Sequence, residues 1–259
     1  MAEIIVITSG KGGVGKTTTT ANVGVGLSML GKRVAVIDTD LGLRNLDLAL
    51  GLENLVVYDI TDAVAGDCRV REALVKDSKY GALAFLPASQ FKDKSSLTPD
   101  QLKEVVEELK DKYEYILIDC PAGIEQGFAN AVAAAQKAVV VVNPEPYSLR
   151  DADRIAGLLE QAGIKDIRLV INRMREDLVN KGVMLNIDSI IEALAIRLLG
   201  VVPEDENVIV AGIAGTPVVL NLKNPAGQAF YDIARRLTGE QIPVVEIRKK
   251  GFFKRMFRK

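Results

Sequence analysis

Histidine is absent from the 259-residue chain. No step in this protein can therefore use an imidazole as base, nucleophile or metal ligand. Cysteine is scarce: Cys68 and Cys120 lie far apart and form no C-x-x-C pair. They support neither a disulfide framework nor a thiolate metal site, and they suit a reducing cytosol. Charge of one sign is not in excess, because 33 Lys and Arg stand against 34 Asp and Glu for a net charge of −1. The bulk surface offers nucleic acid no general attraction, and any basic function must be local. No apolar run reaches the roughly 18 to 20 residues that span a bilayer. The longest candidate, residues 129–142, is interrupted by Asn130, Gln136 and Lys137 and reads as a helix followed by a buried strand. The start carries no basic segment and cleavage site of a signal peptide, which predicts a cytoplasmic protein.

What is present is the raw material of a sizeable core. Hydrophobic residues make up 48% and charged residues 26%, which excludes a disordered chain. Short runs rich in Val and Ile predict strands at 4–8, 33–38, 82–86, 115–119, 138–142, 167–172 and 198–202. These runs are apolar throughout and do not alternate, so both faces of their sheet are covered, as in parallel sheets. Helical patterns fall between them at 16–30, 99–110, 127–135, 149–161, 187–194 and 225–237. Thr98-Pro99-Asp100-Gln101 carries a cap, a proline at the first helical position and Gln three residues on; Ser148-Leu149-Arg150-Asp151 resembles a capping box with Asp in place of Glu. Residues 59–79 mix helical pattern with loop. The alternation predicts an α/β fold, a doubly wound and mostly parallel sheet flanked by helices. No Gly, Pro or Ser-rich linker and no repeat divides it, so residues 1–240 are read as one domain and 241–259 as a linker and tail.

The most specific motif is Gly10-Lys11-Gly12-Gly13-Val14-Gly15-Lys16-Thr17, which fits G-x-x-x-x-G-K-[ST] and lies between a strand and a helix. Its glycines let the backbone wrap a phosphate chain, and its N–H groups together with the helix N-terminus attract negative charge. Lys16 is placed to reach the β- and γ-phosphates of ATP and Thr17 to ligate Mg²⁺, with Thr18 completing the loop. Asp119 ends an apolar strand, where a metal-holding acid belongs, although an Asp there can also cap a helix. Asp38 and Asp40 follow the strand at 33–38; by position alone they could be loop acids. Asn172 and Asp205 also sit at strand ends, where a loop role is equally open.

The loop Lys-Gly-Gly-Val-Gly-Lys-Thr-Thr resembles the deviant Walker A motif of the ParA/MinD ATPase family. The resemblance extends over nearly the whole chain and implies a P-loop ATPase that dimerises with ATP, Lys11 crossing to the partner's nucleotide. The stretch 38–47 is similar to the family's switch I, which implies that Asp40 orients the attacking water and Asp38 supports the Mg²⁺ site. Cys120-Pro121-Ala122-Gly123 matches switch II, with Cys120 in a packing role, and Asn172-Arg173 resembles the pair that meets adenine. Asp205 belongs to a turn at the same position in related ATPases.

The tail, 248–259, carries seven basic residues, no acid and three Phe. On a helix Phe252, Phe253, Met256 and Phe257 share one arc, with Lys254 and Arg255 among the basic remainder. That is the pattern of an in-plane membrane helix on anionic lipids; a solvated arm or a nucleic-acid arm are the other readings. A buried apolar side chain contributes about 1.5–3 kcal/mol and a basic residue about 1 kcal/mol at an anionic surface. Ordering takes back about 1 kcal/mol per residue, so one tail binds marginally and two on a dimer bind firmly. The family resemblance, with residues 40–47 and the tail, implies peripheral attachment to the cytoplasmic face of the membrane and a role in placing the division septum. It further implies a MinC-like division-inhibitor partner and a MinE-like ATPase activator. A flagellar-number regulator, a DNA-partition ATPase of the same family, or a P-loop enzyme acting on a small molecule remain as other readings. The net charge and terminal Phe cluster argue against nucleic acid, and the missing partner cysteine argues against an iron–sulfur relative.

Overall fold

The computed structural model describes residues 2–244. Strands β1 (Glu3–Thr8), β2 (Val34–Asp38), β3 (Val75–Lys76), β4 (Leu83–Leu86), β5 (Tyr115–Asp119), β6 (Lys137–Val142), β7 (Asp166–Met174) and β8 (Arg197–Pro203) form one sheet. Its order is β3-β4-β2-β5-β1-β6-β7-β8. Every pairing is parallel except β3 with β4. The helices are α1 (Lys16–Met29), α2 (Leu46–Leu50), α3 (Ile60–Ala65), α4 (Val70–Ala73), α5 (Pro99–Leu109), α6 (Gln126–Ala133), α7 (Pro146–Gln161), α8 (Glu176–Asn180), α9 (Ile187–Leu194), α10 (Glu206–Ile213) and α11 (Pro225–Leu237).

The strand β1 shows why the runs are apolar throughout. Ile4 and Val6 enter the core layer formed with α5, α6, α7 and α9. Ile5 and Ile7 enter the opposite layer, formed with α1 and α11. Successive side chains point to opposite faces, so a strand covered on both sides has no polar position to spare. The chain runs outward on one side of β1 through β2 and β4 and on the other through β6, β7 and β8. The carboxyl end of β1 therefore opens a crevice between β5 and β6, where doubly wound sheets bind ligands.

The predicted strands agree with the observed ones to within one or two residues at each end. The helices at 187–194 and 225–237 coincide with α9 and α11. At Thr98 the expected capping box is formed, its hydroxyl accepting from the Gln101 N–H and Gln101 reaching back to the Thr98 N–H. At Ser148 it is not. Pro146 occupies the first turn, so α7 begins before Leu149, and the Ser148 hydroxyl accepts from the Asn143 N–H at 3.0 Å. Residues 59–79 resolve into α3, α4 and the antiparallel edge strand β3; Asp59 and Asp62 make a capping box for α3. The tail residues Phe252, Phe253, Lys254, Arg255, Met256 and Phe257 lie outside the described residues.

Candidate functional site: a phosphate loop and its acidic floor

The loop between β1 and α1 is shaped by close neighbours. Gly15, which precedes α1, has φ +100 and ψ 30. A Cβ there would meet Asn172 Nδ2 at 2.3 Å. The same Asn172 amide donates to the Val14 carbonyl at 2.8 Å and so ties the loop to β7. A Cβ on Gly10 would strike Asp151 of α7 at 2.3 Å, so α7 closes the other side. Ser9 donates its hydroxyl to the Lys11 carbonyl at 2.7 Å. Over Gly13, by contrast, an added Cβ would meet nothing within 4 Å. The loop is braced from below and open above, which is the form of a phosphate cradle. Lys16 is buried, 7% exposed, at the helix start, whereas Lys11 is exposed on the open side.

Beneath the loop lie the acids. Asp38 and Asp119 are register partners at the carboxyl ends of β2 and β5. Thr17 donates its hydroxyl to Asp119 Oδ2 at 2.7 Å and Thr20 donates to Oδ1 at 2.8 Å. Burial pushes the Asp119 carboxyl up to about 6, against the two threonine hydroxyls, which favour its charged form. Burial and then the neighbouring Asp119 hold Asp38 well above the usual carboxylate range. Its oxygens accept from the backbone N–H groups of Asp40 at 2.9 Å and Leu46 at 3.2 Å. Asp38 thus fixes the loop that carries Asp40 to the site. Arg44, with φ 44, ends the turn that starts at Asp40 and forms an ion pair with buried Asp47 at 2.6 Å.

The residues expected to meet a base come together as well. Gly15, Thr18, Asn172, Arg173, Pro203 and Asp205 border a cavity of about 410 Å³ beside the phosphate loop. Arg173 sits in a β7 irregularity with φ 55 and is exposed. Asp205 serves as the cap of α10. It accepts from the Asn207 N–H at 2.8 Å and from the Asn224 side chain at 2.9 Å. Its carboxylate is committed to helix termini at the cavity rim. Burial raises the Cys120 thiol to about 12, in keeping with a packing residue.

Thr20, Thr39 and α10 join the site without having been expected from the sequence. Thr20 lies one turn from Thr17 in the run Thr17-Thr18-Thr19-Thr20, so the i, i+3 spacing could have placed both hydroxyls on one carboxylate. Thr39 holds the Asp119 carbonyl at 2.6 Å. Helix α10 adds Ile209 and Ile213 to the cavity wall.

A strand, a glycine loop capped by a buried lysine, and a threonine–aspartate pair at a sheet switch point define a P-loop nucleoside-triphosphatase. A family model described as AAA domain matches residues 2–178. The septum site-determining protein MinD of Bacillus subtilis (strain 168) is 53% identical over 97% of this chain and 95% of its own. The MinC:MinD cell division protein complex of Aquifex aeolicus superposes with a TM-score of 0.89 at 48% identity, over 95% of this chain and 99% of that one. The septum site-determining protein MinD of Pyrococcus horikoshii OT3, complexed with Mg-ADP, gives 0.83 at 33% identity, over 92% and 96%. The chain belongs to the MinD family of ParA-type ATPases.

Proposed function

We propose that this protein is an Mg²⁺-dependent ATPase that dimerises on ATP, binds the inner membrane surface through its tail, and takes part in placing the division septum. The observation that carries the nucleotide chemistry is the Thr17–Asp119 hydrogen bond directly below the phosphate loop, with buried Lys16 beside it. Hard oxygen donors from Thr17 and Asp119, with Asp38 at the neighbouring strand end, suit Mg²⁺. The open space above Gly13 and the lysine at the helix start suit a triphosphate. The solved relative bound to Mg-ADP supports the same pair of ligands for this chain.

In this reading Thr17 and Asp119 hold the Mg²⁺, and Asp38 supports them. Mg²⁺ supplies charge neutralisation on the phosphoryl oxygens when bound. Lys16 and the loop N–H groups hold the phosphates in place. Asp40 orients the attacking water, with its backbone fixed by Asp38. Lys11, exposed on the open side, reaches the nucleotide of a second copy. The cavity at Asn172 and Pro203 takes the base. Slow turnover until a partner completes the site fits a constellation finished only in the dimer.

Dimerisation brings two basic, Phe-containing tails to one surface and raises their joint affinity for anionic lipid. Among the described residues no helix is long and apolar enough to cross a membrane, which is compatible with peripheral attachment. The MinC:MinD relative supports a MinC-like partner for this chain, and a MinE-like protein is the proposed activator. Nucleic acid is not an expected partner.

The test is turnover and mass together. Purified protein should hydrolyse ATP only with Mg²⁺, and light scattering should show a dimer with ATP and a monomer with ADP. Hydrolysis that persists in EDTA, or one mass in both nucleotides, would overturn the reading.

A further inference from the structure

The last described residues are held against the sheet edge. Arg236 on α11 donates to the carbonyls of Leu199 on β8 at 3.0 Å, Ile242 at 3.0 Å and Pro243 at 2.9 Å. This clamp delivers Val244 to the rim of an apolar cavity of about 330 Å³ between β8 and α11. Met174, Val201, Pro203 and Ala229 form its walls. Met174 and Pro203 also border a second, larger depression of about 810 Å³. That depression is bordered by Glu176, Asp177, Glu204, Asp205 and Glu206, with Arg175 as its one base. Arg175 is itself paired with Asp177 at 2.9 Å and Glu204 at 3.7 Å. An apolar slot thus adjoins an acidic one, and Val244 stands at the apolar end.

We propose that this groove is the resting seat of the protein's own basic, Phe-containing tail, occupied while the protein is off the membrane. Three observations select this occupant over others. Val244 already stands at the rim, so the following residues are the segment with the highest local concentration there. Phe252 lies eight residues on, within a reach of up to about 26 Å of extended chain from the rim. The tail has seven basic residues and no acid, opposite in sign to the five carboxylates of the acidic part. In this arrangement Phe side chains fill the apolar slot and Lys and Arg side chains face the acids. Membrane and groove then compete for one set of side chains, so a lone subunit keeps its tail covered. The lipid end of this competition rests on the membrane reading given above; the seat itself does not.

The acidic part also borders the base cavity, with Pro203, Glu204, Asp205 and Ile209 common to both. Occupancy by nucleotide and by tail thus meet at one turn.

Disulfide trapping tests the seat. In the full chain with Cys68→Ser, the pair Gln228→Cys and Met256→Cys is oxidised mildly in ADP. The control pairs Met256→Cys with Lys103→Cys on α5, in the opposite helix layer. The expected result is an intramolecular disulfide formed at least about tenfold faster than the control, slowed by added salt and by vesicles of anionic phospholipid. Equal rates for the two pairs, or only disulfides between molecules, would overturn the proposal. Ala229→Arg, which fills the slot with bulk and charge, should raise vesicle binding in ADP several-fold; unchanged binding would count against the seat. If the parent protein binds no vesicles even with ATP, the membrane reading fails and the trapping rates alone decide the seat.

Discussion

Thr17 donates its hydroxyl to the Asp119 carboxylate across 2.7 Å, bridging a sequence separation of 102 residues. The start of α1 and the carboxyl end of β5 are thereby one unit. Thr20 completes it, donating to the other Asp119 oxygen from one helical turn further on.

That unit predicts a trade between stability and activity. The native state holds the Asp119 proton more tightly than the unfolded chain, with a value of about 6 against an ordinary 3.8. Its contribution is therefore most favourable below about pH 3.8 and is lost as pH rises through about 6. Two units correspond to about 3 kcal/mol in a site this buried. Asp119→Asn removes the titration and keeps hydrogen-bond partners, since an amide can donate to one threonine hydroxyl while accepting from the other. Thermal unfolding without nucleotide should show the variant more stable than the parent at pH 7 by up to about 3 kcal/mol, with the gap closing towards pH 4. ATP hydrolysis should be lost. Parallel pH profiles for the two proteins would contradict this.

Gly15 predicts a loss of nucleotide binding on a minimal change. Gly15→Ala places a methyl group 2.3 Å from the Asn172 amide at a φ of +100. Either the loop or Asn172 must move, and the Asn172 bond to Val14 goes with it. The cost is about 1–3 kcal/mol of local strain, and ATP affinity should fall at least tenfold by fluorescent-nucleotide titration. Lys11→Ala touches no buried group and should leave melting temperature and nucleotide affinity nearly unchanged, while the ATP-dependent dimer weakens.

Arg44 and Asp47 predict a large asymmetry. Arg44→Ala leaves the Asp47 carboxylate buried, 0% exposed, without its cation. Loss of about 3–5 kcal/mol is expected, measured by urea unfolding. Arg44→Ala with Asp47→Ala should recover much of that loss, because no buried charge remains. Equal destabilisation of the single and double variants would show that the pair is not the source.

Cysteine labelling separates the two thiols. Cys120 is buried with its thiol pushed up to about 12, and Cys68 is partly exposed. Iodoacetamide should modify Cys68 in the native protein and Cys120 only after denaturation. Native labelling of Cys120 at a comparable rate would mean that the switch II segment opens.

Strands and phosphate loop were legible because their signals are dense. Residues 115–119 and 138–142 are apolar at nearly every position, and the glycine–lysine spacing admits few other folds. Helix α10 was not legible, because Ile209, Val210 and Ile213 are exposed and give no stripe that marks a buried face. The segment 59–79 hid two short helices and a two-residue strand, each too brief for periodicity to register. Asp59 and Asp62 were the readable sign, as a capping box. At Ser148 the competing signal was Pro146, which is tolerated in the first turn and pulled the start of α7 forward. Asp38 shows a different limit: strand position brought it to the site, but only the fold reveals that its oxygens accept from Asp40 and Leu46.

In the proposed function, ATP state, acting through Asp40, sets whether the protein stays on the membrane. Sedimentation with vesicles of anionic phospholipid, in ATP and in ADP, for the parent protein and for Asp40→Ala, tests it most directly. The parent should bind in ATP and be released as ATP is consumed, whereas Asp40→Ala should bind in ATP and remain bound. Asp40→Ala that hydrolyses ATP and leaves the vesicles at the parent's rate would contradict it.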